Sequence, residues 1–249
     1  MPAMKDVLLT VDCSLRWTLA GVCRATGAAS GAGSESGSGE NGRSWEVLAS
    51  ECLDLGRRQA AELPLLADRL LEKSGRTMED VGLIAVTNGP GYFTGIRTGV
   101  SWASALAYGL GVRVVPVSSL LMLARAYVRE SQREAPALVF VYAGQKRVYA
   151  ASFGCAENLP TGEYDGEALE AWLNSRKKTS APEPILLSDD PERACKAAGL
   201  DHPFLRPVLK VLPSADALAE ISLSGKQAPL LPEEVRVFYH RAPQGCAGV

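Results

Sequence analysis

The residues best suited to chemistry in this sequence lie at positions 87–99, in the stretch TNGPGYFTGIRTG. Four glycines and one proline among these residues indicate a tight turn. An apolar run at 83–86 precedes the turn, and a helical pattern of small residues at 100–110 follows it. Thr94 is predicted to cap this helix. The order strand, glycine-rich turn and helix is also that of phosphate-binding loops, and Arg97 could neutralise an anion at the helix N-terminus.

The spacing of the glycines argues against a classical nucleotide-binding loop. Gly89, Gly91 and Gly95 form G-x-G-x-x-x-G, which is one residue longer than the Rossmann fingerprint, and the stretch has no lysine for a Walker A loop. A packing role is better supported. Gly95, Gly99 and Ala103 recur at i, i+4 and i+8, so one face of the predicted helix has no bulky side chain and another element can approach it closely.

The histidines and cysteines do not form the pattern of a metal centre. The two histidines, His202 and His240, are not part of an H-E-x-x-H motif, and the six cysteines include no C-x-x-C pair. We therefore expect no histidine-based zinc site. We expect the cysteines to be small buried side chains that stay reduced.

Composition and charge set the broad class of the protein. The 249 residues carry a net charge of −2, and 47% of them are apolar and 22% charged, as in an ordinary globular protein. This charge does not support tight autonomous binding to nucleic acid. No apolar run approaches the ~18 residues of a membrane span, and the N-terminus lacks the features of a signal peptide. We expect a cytoplasmic protein with no membrane association.

The order of the predicted elements favours an α/β fold with two lobes. Three antiparallel strands open the chain, followed by a helix at 59–74, a strand, the helix after the glycine turn and another strand. Residues 27–44, rich in Gly, Ala and Ser, are expected to form a flexible hairpin loop. A similar series begins near residue 138, although its third strand is hard to recognise. Ser118 or Ser119, Asp190 or Pro191, and Ser214 are predicted to begin later helices. We place the N-terminal lobe at 1–117 and a degraded C-terminal lobe at 118–249.

The helix at 59–74 has an unusually wide apolar arc. Leu63, Leu66 and Leu70 lie at i, i+3 and i+7, and further leucines flank this stripe. An arc of this width could face both the helix's own sheet and a partner protein. An ordinary place in the core is the alternative.

The string GPGYFTGIRTG resembles the G-P-G-S-F-T-G-[LV]-R-[IV]-G signature of the bacterial TsaB/YeaZ family of tRNA threonylcarbamoyladenosine biosynthesis proteins. Nine of its eleven positions fit, while Tyr92 replaces the usual serine and Thr98 the usual aliphatic residue. The opening strand with its aspartate, the first long helix and the closing VRVFYHR segment also resemble the family. The family motif falls here on Asp12, Gly89, Pro90, Gly91, Phe93 and Thr94.

The resemblance implies a two-lobed fold of the actin-like ATPase (ribonuclease H-like) superfamily with mixed sheets. It also implies a non-catalytic protein that binds the transferase TsaD as a heterodimer through the two helices of the first lobe. The ATPase TsaE would join a larger complex, tRNA would be bound only through that complex, and the same helices could form a homodimer. The implied interface residues are Leu63, Leu66, Leu70, Gly95, Arg97, Gly99 and Ala103. A charge at Leu66 or Gly99 would then abolish binding and leave the fold intact.

Two positions in the predicted second lobe depart from the family. Where the family has I-D-A-R-x-G-E-V-Y, this sequence has FVYAGQKRVY, so that Tyr142 replaces the aspartate and Gly144 the arginine. In the first lobe, Asp12 is followed by a cysteine and a serine, without the glycine of the superfamily's D-x-G loop. We therefore expect no catalytic residue, no metal and no nucleotide cofactor in this chain.

Other functional classes stay open on the sequence alone. A kinase or ATPase of the same superfamily is one alternative, which ATP binding by the isolated chain would favour. An M22-type peptidase is another, because relatives have carried a glycoprotease label, although the sequence has no zinc pattern. A structural protein that self-associates through the same apolar helices is a third.

Overall fold

The computed structural model describes residues 5–26, 36–38, 44–144, 146–176, 181–200 and 207–238. The strands of the first sheet are β1 (Val7–Asp12), β2 (Thr18–Thr26), β3 (Ser36–Ser38), β4 (Ser44–Leu53), β5 (Val81–Gly89) and β6 (Arg113–Ser118). Those of the second sheet are β7 (Ala137–Gly144), β8 (Arg147–Phe153), β9 (Gly162–Tyr164), β10 (Ile185–Ser188) and β11 (Val208–Lys210). The helices are α1 (Gln59–Lys73), α2 (Phe93–Leu110), α3 (Ser119–Ser131), α4 (Gly166–Arg176), α5 (Pro191–Ala198) and α6 (Ala215–Leu223).

The two sheets repeat one topology. Their strand orders are β3-β4-β2-β1-β5-β6 and β11-β10-β7-β8-β9. In each sheet the opening strand pairs antiparallel with the next strand and parallel with a later one, as β1 does with β2 and β5, and as β7 does with β8 and β10. Apart from the short β3, the strand order of the second sheet, read backwards, matches that of the first. The predicted α/β fold, with two related mixed sheets, is confirmed.

The helices and sheets alternate in layers. Helices α1 and α2 cover one face of the first sheet, α3 and α6 lie between the two sheets, and α4 and α5 cover the far face of the second sheet. The side chains of strand β7 alternate between the two layers of helices that cover its sheet. Leu138 and Phe140 belong to the core with α4 and α5, and Val139 and Val141 belong to the core with α3 and α6. Strand β1 is buried along its whole length because both its faces are covered.

Three predicted helix starts are confirmed, and one is wrong. Ser118, Asp190 and Ser214 precede α3, α5 and α6, and each side chain accepts a backbone N–H of the first turn. Thr94 does not cap α2, because the helix begins one residue earlier at Phe93 and no side chain caps it.

The second lobe differs from the sequence prediction in its short strands. The third strand that was hard to recognise is β9, which is only three residues long, and β11 is equally short and was missed. The closing segment at 235–239, predicted as a short strand or an extended segment, forms no strand within 235–238, although the Phe238 N–H donates to the Asn88 carbonyl at 2.8 Å. Strand β3 lies inside the predicted 27–44 loop, most of which is outside the described residues.

The boundary at 117/118 stays a prediction. Helix α6, although late in the chain, contacts β1, β2 and β4 of the first sheet as well as α3. The C-terminal part of the chain therefore contributes to the core beneath the first sheet.

The described cysteines are unpaired. Cys13 and Cys23 are buried, Cys52, Cys155 and Cys195 are half-buried, and no disulfide joins any of these five. Burial raises the pKa of the Cys23 thiol to about 12, so this side chain behaves as a small apolar group. Cys246, His202 and His240 lie outside the described residues. Within the described ranges, no helix is both long and apolar enough to cross a membrane.

Candidate functional site

The end of β1 carries a buried carboxylate, Asp12. Asp12 is 0% exposed. Its Oδ1 accepts the Ser14 N–H at 2.9 Å, the Ser14 hydroxyl at 2.6 Å and the Thr87 hydroxyl. Its Oδ2 finds no hydrogen-bond partner among the described residues. Burial raises the pKa of Asp12, and the hydrogen bonds from Ser14 and Thr87 act against this rise.

The glycine turn allows α2 to pack against the backbone that follows Asp12. A Cβ on Gly91 would lie 2.0 Å from the Ser14 carbonyl oxygen, and a Cβ on Gly95 would lie 1.9 Å from the Cys13 carbonyl oxygen. The Tyr92 N–H donates to the Ser14 carbonyl at 2.7 Å. Only glycine permits this approach, so the predicted packing role of the turn is confirmed.

The first glycine of the turn, Gly89, lies against Phe238, the last residue that the structure describes. Gly89 has φ +115°, and a Cβ there would lie 2.7 Å from the Phe238 carbonyl oxygen. The peptide bond between Gly89 and Pro90 is cis. The Asn88 amide donates to the Arg236 carbonyl at 3.0 Å. The closing segment that resembles the family thus lies beside the family signature.

Two of the residues that depart from the family meet across the cleft between the lobes. Tyr92 of the first lobe and Tyr142 of the second have ring centroids 5.7 Å apart. The Arg193 guanidinium, from the first turn of α5, lies 4.2 Å from the Tyr142 centroid and 5.3 Å from that of Tyr92. These distances are within the range of cation–π attraction. Side chains of the chain itself therefore occupy this part of the cleft.

A second set of contacts crosses the cleft on the side of the β1–β2 turn. The Arg16 guanidinium donates to Asp54 of the first lobe at 3.0 Å and to Asp190 of the second at 2.9 Å. The Arg16 backbone N–H donates to Asp189 at 3.2 Å. Next to it, the Lys210 ammonium lies 4.5 Å from the Trp17 ring centroid. The turn of the first lobe is thus held by the ends of β10 and β11.

Asp189 is the second buried carboxylate of the cleft. It is 3% exposed. Burial, together with the charges of Asp12 and Asp190 and against the hydrogen bond from the Arg16 N–H, raises the pKa of Asp189 to about 6. Asp12 and Asp189, one from each lobe, are thus two buried carboxyl groups with raised pKa values.

Replacing Asp189 should stabilise the protein at neutral pH. The folded-state pKa of Asp189, about 6, lies above its ordinary value of 3.8. The folded protein therefore binds this proton more tightly than the unfolded chain does. The free energy of unfolding of the wild type falls as the pH rises from 3.8 to about 6, and it stays lower above that range. Asp189→Asn keeps an acceptor for the Arg16 N–H and should gain about 2 kcal/mol at pH 8 relative to wild type, with little gain at pH 4. Urea unfolding at the two pH values measures this difference, and an equal effect at both would contradict it.

The cleft does not fit a bound magnesium–nucleotide in this arrangement. Asp12 accepts hydrogen bonds from Ser14 and Thr87 and is not accessible, and Tyr142 stands where the family has an aspartate. Among the residues that the structure describes, no cluster of three or more His, Cys, Asp or Glu side chains could hold a metal.

The predicted interface leucines and small residues are in the core of this chain. Leu63, Leu66 and Leu70 are 0–1% exposed, and the structure buries them against the first sheet. Gly95, Gly99 and Ala103 are also buried, because they form the face of α2 that contacts the sheet and the turn after β1. The prediction that these six side chains form an exposed docking surface is therefore corrected. A charge at Leu66 or Gly99 would disturb the core itself.

The opposite sides of the same two helices are exposed. We call this surface the α1/α2 outer face, and it is formed by Ala61, Leu65, Phe93, Arg97, Ala105 and Tyr108. Leu65 is 56% and Tyr108 79% exposed, and the Arg97 guanidinium lies 5.2 Å from the Phe93 ring centroid. Arg97 and Phe93 are the predicted site residues that the structure places on the surface. Exposed apolar side chains of this kind on neighbouring helices are typical of protein–protein contacts.

An open cavity of about 1170 Å³ adjoins both the cleft and the α1/α2 outer face. It lies between the N-terminal ends of α1, α2 and α5, with Arg57, Phe93, Thr94, Arg193 and Lys196 on its walls. The roles of Arg16, Asp189 and Arg193 could not be predicted from their places in the sequence. A predicted helix start at Asp190 was the only signal that pointed towards them.

Comparison with known proteins gives one matching family model. The model described as "TsaD: tRNA N6-adenosine threonylcarbamoyltransferase" matches residues 54–231. The chain is 34% identical over 111 residues to the tRNA threonylcarbamoyladenosine biosynthesis protein TsaB of Escherichia coli, which is 45% of this chain and 46% of that protein. It is 31% identical over 179 residues to a tRNA N6-adenosine threonylcarbamoyltransferase of Cereibacter sphaeroides, which is 70% of this chain and 47% of that protein. The chain thus spans about half the length of these curated relatives.

Two solved structures share the fold over nearly the whole chain. A Pseudomonas aeruginosa protein described as similar to peptidase YeaZ superposes with a TM-score of 0.64 and 21% identity, over 95% of this chain and 100% of that one. A structure described as YeaZ from the same organism gives a TM-score of 0.61 and 21% identity, over 94% and 99% of the two chains.

Proposed function

The chain belongs to the family described as TsaD, tRNA N6-adenosine threonylcarbamoyltransferase, as one of its TsaB/YeaZ proteins, and on this premise we propose that it is a non-catalytic scaffold in tRNA threonylcarbamoyladenosine biosynthesis. In this role it binds and supports a TsaD-like transferase, which modifies adenosine 37 of tRNA. The E. coli relative carries the pathway in its name, and the C. sphaeroides relative carries the transfer reaction.

The observation that carries the non-catalytic role is the burial of the acid of the family motif. An enzyme site needs a concave, accessible pocket in which polar groups converge on a substrate. Tyr92, Tyr142 and Arg193 contact one another between the lobes, beside the open cavity of about 1170 Å³. Asp12, the acidic residue of the family motif, is 0% exposed and does not line that cavity. The kinase, ATPase and M22-type peptidase alternatives each need an accessible group in this cleft and are therefore less favoured.

The α1/α2 outer face supports the docking part of the proposal. Its small residues, Ala61 and Ala105, lie beside the larger Leu65 and Tyr108. Small side chains let two helix pairs approach closely, and the larger ones can fill grooves of a partner helix. This arrangement fits a heterodimer with the transferase. The same face could pair with a second copy of the chain when the transferase is absent.

The remaining parts of the proposal concern the wider assembly. A TsaE-like ATPase joins the complex, and tRNA is held by the complex and not by this chain alone, which has a net charge of −2. The assembly works in the cytoplasm.

Co-purification with the TsaD-like transferase of the same organism tests the scaffold role. The two chains are mixed and separated by size-exclusion chromatography with light scattering. We expect a stable 1:1 complex that forms at the expense of any homodimer. Failure to form a complex, even with the TsaE-like ATPase, ATP and tRNA present, would overturn the proposal.

A further inference from the structure

Side chains, and not only the connecting chain, join the two lobes across the cleft. The first lobe contributes Arg16, from the β1–β2 turn, and Tyr92, from the start of α2. The second lobe contributes Tyr142, from the end of β7, and Asp190 and Arg193, from the start of α5. We call these five residues the interlobe latch.

The latch has two separate arms. In one arm, Arg16 donates to Asp190 at 2.9 Å and is anchored on its own lobe by Asp54 at 3.0 Å. In the other arm, Arg193 lies 4.2 Å from the Tyr142 ring centroid, and the Tyr92 ring lies 5.7 Å from that of Tyr142. Each contact alone is weak at a surface, but both arms act on the same short helix, α5, and on neighbouring turns of the first lobe.

We propose that the interlobe latch holds the two lobes closed on each other without a ligand in the cleft, so that the protein presents its surfaces as one rigid body. The apolar core around α3 and α6 already joins the two sheets. In folds of two lobes, hinge motion about such a core is expected unless further contacts tie the lobes. The latch supplies such a tie in this chain without a bound ligand.

The buried carboxyl groups show that closure is costly and needs such a tie. Asp12 and Asp189, one from each lobe, are 0% and 3% exposed. Asp12 Oδ2 is left without a partner among the described residues. Opening the cleft would hydrate both groups, so their burial favours the open form. The closed arrangement therefore depends on favourable contacts elsewhere. These are the apolar core around α3 and α6, which reaches both sheets, and the latch arms, with Lys210 over the Trp17 ring at 4.5 Å.

Hydrogen exchange of the full chain, followed by mass spectrometry, tests the latch. We compare wild type with the double variant R16A/R193A. We expect exchange at residues 13–17 and 188–193 to rise by roughly tenfold or more, because these segments become exposed when the lobes part. The core of the first lobe, at 63–70, should keep its wild-type protection. An unchanged pattern, or an equal rise along the whole chain, would overturn the proposal.

Matched variants separate the latch from general effects on α5. Lys196→Ala removes an exposed cation on the same helix that also lines the adjoining cavity, and it should leave exchange at wild-type level. Tyr142→Phe keeps the ring beneath Arg193 and should also behave as wild type, whereas Tyr142→Ala should not. If Lys196→Ala raised exchange as much as Arg193→Ala does, the specific contacts would not be the cause and the proposal would fail.

A second measurement keeps the test decisive if the double variant does not fold. The single variant Arg193→Ala is compared with wild type by small-angle X-ray scattering at equal concentrations. We expect a larger radius of gyration and a broader distance distribution for the variant, since the lobes separate. An identical scattering curve from a folded Arg193→Ala protein would overturn the latch. Both measurements use the isolated chain, so neither depends on binding to the transferase.

Discussion

Gly95→Ala should lower the free energy of unfolding by about 3 kcal/mol or more. The added Cβ would lie 1.9 Å from the Cys13 carbonyl oxygen, and that atom belongs to backbone, which cannot rotate away as a flexible side chain could. The turn after Asp12 and the start of α2 would have to separate, and the hydrogen bond from the Tyr92 N–H to the Ser14 carbonyl would be lost with them. Urea unfolding followed by circular dichroism measures the change.

Gly109→Ala is the matched control on the same helix. A Cβ on Gly109 meets no atom within 4 Å, so it fills open space. Because glycine is the weaker helix former, this variant should be more stable than wild type by about 0.5–1 kcal/mol. Equal effects of the two substitutions would show that helix propensity, and not the contact with the turn, determines the role of Gly95.

Leu65→Asp should weaken binding to the TsaD-like transferase by roughly 30-fold or more and leave the fold intact. Leu65 is 56% exposed on the α1/α2 outer face, so the aspartate stays in water in the free protein but would be buried without a partner in the complex. Ala105→Asp, on the adjacent face of α2, should have the same effect. Titration calorimetry measures the affinity, and circular dichroism checks the fold.

Leu212→Asp and Leu66→Asp give the two controls for this experiment. Leu212 is 40% exposed but lies outside the two helices, so the same chemical change there should leave binding unaffected. Leu66 is 1% exposed in the core, so the aspartate there should unfold the protein. If Leu212→Asp weakened binding as much as Leu65→Asp, the docking surface would lie elsewhere.

The sequence predicted those features that depend on short stretches of chain. Capping side chains at Ser118, Asp190 and Ser214 located three helix starts, because a cap acts within one helical turn. The strand–turn–helix around the glycine signature was found for the same reason. Strands β9 and β11 were missed or doubtful, since three residues are too few to show an alternating pattern.

The role of the leucines in α1 could not be predicted from their spacing. Periodicity shows that Leu63, Leu66 and Leu70 share one face, but it does not show whether a partner or the chain's own sheet covers that face. The structure assigns the whole stripe to the first sheet, and Leu65 beside it faces outward.

The contacts in the cleft could not be predicted from the sequence for a different reason. Tyr92 and Tyr142 were both noticed as departures from the family, yet they lie on different lobes and meet only in the folded protein. Arg193, an ordinary exposed arginine on a short helix, completes the cluster. Such long-range pairs leave no local pattern in one sequence.

Reconstitution of the modification reaction tests the central claim, a non-catalytic scaffold role, most directly. The transferase, this chain or both are incubated with tRNA and threonylcarbamoyl-adenylate, and N6-threonylcarbamoyladenosine is quantified by mass spectrometry of the digested tRNA. We expect no product with this chain alone, little with the transferase alone, and full activity with both, which Leu65→Asp should abolish. Product formed by this chain alone, or equal activity of the transferase without it, would contradict the scaffold role.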